Sequence, residues 1–201
     1  MILKGIFAAS ASILKEDLSL DIGQTRQHAE NLINNGCHNV VLLGSTGQAP
    51  LLTVHEKKEL IDNACQSKFK DNFLIGTGLT SLNQNVDFMK HCISLGYKYF
   101  LLMNAPYYKY SDDGAFAYFS EIVNRVPESK IILYNFEKLS GYAFSINVVE
   151  KLVKNFPEQI IGAKDSTYNL YANLKIPNFS VFPGSETKLL KGLELGCSGI
   201  I

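Results

Sequence analysis

The 201-residue sequence as a whole carries no surplus of charge: 19 lysines and arginines balance 19 aspartates and glutamates. Without a basic stripe there is no electrostatic footprint for nucleic acid, and without an acidic tail there is no signature of disorder. No apolar run approaches the ~18 residues of a membrane span. The opening MILKGIFAASASILKEDLSL has an apolar patch but meets charge at once, so it does not read as a secretory signal. Cysteine is scarce: Cys37, Cys65, Cys92 and Cys197 fit no C-x-x-C metal or redox spacing and read as free, packed thiols. His28, His38, His55 and His91 do not cluster with acids at ligand spacing, which argues against a catalytic metal. The G-x-x-x-x-G-K-[ST] spacing of a phosphate-binding loop is missing. The expectation is a cytoplasmic protein without metal or organic cofactor. Its partner would be a small molecule or another copy of itself, not nucleic acid or membrane.

What is present is an alternation. Short apolar runs fall at 2–8, 38–44, 72–78, 97–105, 130–136, 159–165, 179–185 and 198–201. Between them lie amphipathic stretches of helical period. Thr53 and Glu56 form the capping box of one, and Gly96 closes another. Eight strands separated by seven helices are expected. Because the strands read as runs, they suit a sheet covered on both sides or a barrel core. The pattern predicts a single α/β domain over 1–201, a (β/α)8 TIM barrel, with an open doubly wound sheet as runner-up. The hydrophobic share of 46% suffices for one such core. The count of elements stops within the eighth strand, at Ile201. The barrel's last helix is therefore expected to be missing from these residues.

In a barrel, chemistry collects at the C-terminal ends of the strands. Those ends offer Ser45 and Thr46, Thr77, Tyr107 and Tyr108, Tyr134, Lys164 with Asp165, and Gly184 with Ser185 and Glu186. The run EQIIGAKDSTYNL holds a lysine at the end of a buried strand. A buried ammonium loses solvation, so its pKa falls, and a neutral amine can form a Schiff base with a ketone. The plain alternative is a strand-end lysine paired with Asp165. Tyr134 could shuttle a proton near that amine, or be a core aromatic with a satisfied hydroxyl. GSTGQAP, residues 44–50, sets two hydroxyls between glycines, where backbone N–H groups can gather a carboxylate; an ordinary βα turn reads the same way.

Taken together, the runs GSTGQAPLLTVHEKKEL (44–60), NAPYYKYSDDG (104–114), YNFEKLSG (134–141), IIGAKDST (160–167), GSE (184–186) and LGCSGII (195–201) resemble the dihydrodipicolinate synthase / N-acetylneuraminate lyase family of pyruvate-dependent class I aldolases. The resemblance implies a barrel followed by a C-terminal helical extension, assembled as a homotetramer or dimer. It implies that Lys164 forms the Schiff base and Tyr134 shuttles protons. Ser45 and Thr46 would hold the pyruvate carboxylate, with Ser45 also in the proton relay. Tyr108 looks like the tyrosine lent across a subunit interface. Ile201 would present its backbone carbonyl to the keto acid, and Gly184 would line the same cavity. The family's lysine-pathway synthases carry an arginine in YN-x-P-x-R-T-G; here Leu139 stands at that position and Glu137 at the proline. The motifs are more similar to 2-keto-3-deoxy-sugar-acid aldolases. The expected activity is reversible cleavage of such an acid to pyruvate and an aldehyde. A synthase condensing pyruvate with aspartate semialdehyde is the enzyme alternative, and a non-catalytic keto-acid-binding barrel the alternative of another class.

Overall fold

The computed structural model describes residues 3–201. Eight parallel strands follow one another: β1 Gly5–Ala9, β2 Asn39–Leu42, β3 Phe73–Gly76, β4 Tyr99–Leu102, β5 Lys130–Asn135, β6 Ile160–Asp165, β7 Ser180–Pro183 and β8 Gly199–Ile200. Each of β1 to β7 pairs with its neighbour in chain order, and β1 also pairs with β8. The ring closes where the Ser198 N–H donates to the Val181 carbonyl (2.8 Å) and the Ile201 N–H to the Pro183 carbonyl (3.4 Å). The structure is the closed (β/α)8 barrel, and the open sheet is excluded.

Helices α1 (Ile22–Asn34), α2 (Val54–Ala64), α3 (Leu82–Ser94) and α4 (Asp112–Arg125) follow the first four strands. The short α5 (Glu137–Ser140) and α6 (Ile146–Asn155) follow β5, and α7 (Leu189–Glu194) follows β7. Asp21, Thr53, Ser81, Ser111 and Ser145 begin α1, α2, α3, α4 and α6, each accepting a backbone N–H three residues on. Each such cap stabilises its helix by about 1 kcal/mol. The Thr53–Glu56 capping box is complete, and Gly96 turns the chain after α3 at φ +90°. Since a helix here starts where a strand has just ended, every cap also pins the far end of a loop on the face where the strands terminate.

Two expectations need correction. The strands are shorter than the apolar runs: 97–105 narrows to Tyr99–Leu102, and 2–8 becomes Gly5–Ala9, with Ile2 outside the described residues. Nor is there a helix between β6 and β7, where seven inter-strand helices were expected. Asp165 supplies the reason. Its buried carboxylate accepts the backbone N–H groups of Thr167, Tyr168, Leu170 and Tyr171 at 2.8–3.2 Å, so one side chain satisfies donors that a helix would otherwise pair.

The core has two parts. Outward-facing residues such as Ile131 and Leu133 pack beneath the helices. Inside the ring, Phe7, Val41, Leu74, Leu101, Ile132, Tyr134, Phe182 and Ile201 fill the axis. This follows from the two-residue period of a strand: Ile132 and Tyr134 turn inward, while Ile131, Leu133 and Asn135 turn outward. Among the described residues no helix is long and apolar enough to cross a membrane.

Candidate active site

Strands β5 and β6 are in register at their C-terminal ends, with Tyr134 opposite Lys164 and Asn135 opposite Asp165. The first pair faces the axis. Lys164 is 5% exposed, and its Nζ stands 4.5 Å from the centroid of the Tyr134 ring. The second pair faces out, where Asn135 Nδ2 donates to Asp165 Oδ1 at 2.8 Å. Asp165 is thus engaged with Asn135 and the loop N–H groups. The alternative in which it neutralises Lys164 is overturned, because neighbours in a strand point to opposite faces. None of the ion pairs among the described residues involves Lys164.

An amine so placed is largely withdrawn from solvent and has no carboxylate paired with it among the described residues. Burial pushes it down to about 8. The Tyr134 phenol moves the other way: burial raises it, partly offset by hydrogen bonding with the Ser45 and Ser166 hydroxyls. Ser45 Oγ lies 3.0 Å from Tyr134 Oη. An amine that readily loses its proton, a protonated phenol and a serine hydroxyl therefore lie side by side.

Ser45 reaches the axis through an unusual turn. Leu43, buried, adopts φ +58°, a conformation that is strained for a non-glycine residue and that the surrounding packing must hold. Gly76 on β3 makes room, since a Cβ there would sit 2.3 Å from the Leu43 carbonyl oxygen. Ser45 and Tyr134 both line a cavity of about 170 Å³, with Thr77, Gly78, Leu79 and Thr80 on one wall and Leu139 also lining it. Among the described residues no lysine, arginine, histidine or carboxylate lines it, so Lys164 adjoins Tyr134 without itself lining this cavity.

The remaining expected residues are placed less uniformly. Thr46 is exposed and does not line this cavity. Ile201 is buried on the barrel axis in the same cluster as Phe182 and Tyr134. Gly184 makes room for a neighbour. A Cβ there would lie 2.0 Å from Ser166 Oγ, so glycine is what lets Ser166 stand near Tyr134. Tyr108 is 71% exposed and packs edge-on against Tyr107, outside the Lys164–Tyr134–Ser45 group. Sequence reasoning missed Ser166; its closeness to Lys164 in the KDS run was the available signal. It also missed Asn104, a buried cavity-lining amide whose Oδ1 has no partner. Among the described residues no group of three or more His, Cys, Asp or Glu is placed to hold a metal.

The sequence model of the dihydrodipicolinate synthetase family matches residues 2–201. The chain belongs to that family. A 4-hydroxy-tetrahydrodipicolinate synthase of Hydrogenobaculum sp. is 29% identical over 187 residues, covering 90% of this chain; the chain spans 64% of that relative's length. Among solved structures, YagE, a prophage protein of E. coli K12 in complex with pyruvate, superimposes with a TM-score of 0.89 at 28% identity, over all of this chain and 70% of its own. A 2-keto-3-deoxygluconate aldolase from Picrophilus torridus shares the fold, with a TM-score of 0.89 at 24% identity, over all of this chain and 73% of its own.

Proposed function

We propose that this barrel is the catalytic part of a class I lyase that reversibly splits a 2-keto-3-deoxy sugar acid into pyruvate and an aldehyde. The observation that carries the reading is the Lys164 amine, buried without a counter-charge, against a phenol that is itself bonded to Ser45. The neutral amine adds to C2 of the keto acid. Tyr134 gives its proton to the departing hydroxyl, water leaves, and an iminium remains. The phenolate then takes the C4 hydroxyl proton. The C3–C4 bonding pair flows to the iminium nitrogen, and the aldehyde is released. Protonation at C3 and addition of water return pyruvate and the amine, with Ser45 relaying protons to and from Tyr134. A developing charge is favoured in a site that excludes water and holds its dipoles in place.

Ser45, Thr46 and the loop N–H groups around them would hold the carboxylate, and the Ile201 carbonyl and Gly184 complete that end. A second copy of the chain, in a dimer or tetramer, would bring its exposed Tyr108 to the proton relay. Four free cysteines suit a reducing, cytoplasmic setting. The synthase reading draws on the named relatives. Against it stands Leu139: it lines the cavity where a second carboxylate would need a cation, and an apolar side chain leaves that charge unneutralised.

Borohydride reduction in the presence of pyruvate is the test. We expect a three-carbon adduct on Lys164 alone, and pyruvate release from 2-keto-3-deoxygluconate or a close analogue. No adduct, or an adduct elsewhere, overturns the chemistry. An adduct combined with turnover of aspartate semialdehyde, and none of the sugar acid, replaces the substrate reading with the synthase.

A further inference from the structure

A second buried lysine lies outside the chemistry described so far. Lys57 is 0% exposed and belongs to the start of α2, four residues after its cap. No carboxylate pairs with it among the described residues. Its position is unfavourable twice over: burial opposes the charge, and so does the positive end of the helix dipole. Burial lowers its amine to about 8. Its hydrogen bond runs from Nζ to the Gly78 carbonyl, 3.2 Å away. A methionine would fill the same space without that penalty, so the amine calls for another reason.

The reason lies in what Gly78 belongs to. Thr77, Gly78, Leu79 and Thr80 form one wall of the cavity. The 0% exposed Asn85 of α3 donates through Nδ2 to the carbonyls of Leu79 (3.0 Å) and Ser81 (3.1 Å). The carbonyls of Gly78 and Leu79 are thus held by two buried side chains on two helices, and that of Ser81 by the Asn85 side chain together with the Asn85 backbone N–H. The same stretch is pressed against the Ser45 loop: Gly78 has φ +56°, and a Cβ on it would lie 2.5 Å from Ala49 Cβ. With its carbonyls tied down, the loop is free to present Thr77 and Thr80 to the cavity.

We infer that Lys57 and Asn85 are positioning residues: together they fix the Thr77–Thr80 wall against which the aldehyde-derived part of the substrate is oriented, while Lys164, Tyr134 and Ser45 bind the pyruvate part. This rests on the proposed lyase reading for the identity of the substrate, not for the placement of the wall.

The variants are Lys57→Met, which keeps length and removes the donor, and Asn85→Asp, which keeps the shape and removes the amide N–H groups. Amide hydrogen exchange over residues 77–81 should quicken about tenfold in either variant, the equivalent of one lost buried hydrogen bond. Exchange in β5 and β6 should not change. Pyruvate trapping on Lys164 should keep its concentration dependence within about twofold, while KM for the cleaved sugar acid rises about fivefold at little change in kcat. The thermal midpoint of Lys57→Met should not fall, since a buried unpaired charge has been removed. Unchanged exchange at 77–81 overturns the inference. So does loss of pyruvate trapping together with a lowered midpoint, which makes Lys57 a general stabiliser. If the wild-type protein traps no pyruvate, the lyase reading fails, and the exchange comparison still decides whether Lys57 holds the wall.

Discussion

The seam between β5 and β6 and the seam between β8 and β1 close the same ring in opposite ways. At the first, two six-residue strands run side by side, with Tyr134 beside Lys164 inside and Asn135 beside Asp165 outside. Asn135 further ties to Asn169 and to the Phe144 N–H, so the outer pair belongs to a buried polar network. At the second, β8 has two residues, and the pairing is Gly5 with Gly199 and Ile6 with Ile200. Both glycines have positive φ, and a Cβ on Gly199 would lie 1.9 Å from the Gly5 carbonyl oxygen. One seam is fixed by polar side chains, the other by the absence of side chains. The proposed chemistry sits on the seam whose register is fixed twice, because a one-residue slip there would send Lys164 to the wrong face.

The largest effect should come from the inner pair. Tyr134→Phe keeps the ring against Lys164 and removes the proton. Turnover of the keto acid should fall about 10³-fold, within the range a positioned acid–base contributes. The adduct should still form slowly, which steady-state kinetics and mass analysis of the reduced protein would show. An unchanged rate would mean that the phenol is only packing.

Next comes the outer pair. Asp165→Ala leaves five donors, the Asn135 amide and four backbone N–H groups, without their shared acceptor. Denaturant unfolding should show a loss of about 3 kcal/mol, as expected when a buried charged acceptor is removed. Activity should fall beyond the loss of folded protein, because Lys164 and the Ser166 loop move together. Loss of stability with full specific activity would separate the network from the site.

How much of this is readable in the sequence depends on what kind of force is involved. The barrel is legible because hydrophobic period is a local property: the inward Ile132 and Tyr134 and the outward Ile131 and Leu133 alternate within one run. Lys164 and Tyr134 stand out because an ionisable or phenolic group ending an apolar run is locally inconsistent. The helixless β6–β7 connection is not legible, since it depends on one carboxylate collecting N–H groups up to six residues away. Asp165 looks like a partner for Lys164 because both are charged and adjacent; strand geometry decides otherwise. The Lys57 amine is hidden within a helix whose neighbouring charges, Glu56 and Lys58 among them, are not buried.

A smaller effect separates the inner pair from the rest by pH. Burial lowers the Lys164 amine to about 8, so its neutral fraction is about a tenth at pH 7 and about nine tenths at pH 9. The initial rate of pyruvate adduct formation should rise about tenfold across that span. Stability should follow the same group with a defined sign. Between pH about 8 and 10.5 the unfolded chain still holds a proton that the native amine has released, so stability increases with pH over that window. Below about 8 both states are protonated and the slope vanishes. Lys57 is lowered in the same way and adds to the stability slope, so the adduct rate, not the melt, isolates Lys164. A rate flat from pH 7 to 9 would place the amine's pKa outside that window.

The smallest effect belongs to the β8–β1 seam. Ile6 faces outward there and is 43% exposed, whereas Leu133, its outward counterpart on β5, is 0% exposed. Leu133→Ala should destabilise by about 3 kcal/mol, the usual consequence of an emptied core position. Ile6→Ser should change stability by less than about 0.5 kcal/mol, because much of its surface is already in water. Urea titrations of the two variants side by side make the measurement. Equal losses at the two positions would mean that the Ile6 face is covered in solution, by further polypeptide or by a second copy. The β8–β1 seam would then be as well buried as the β5–β6 seam, and the contrast between them would reduce to side-chain chemistry alone.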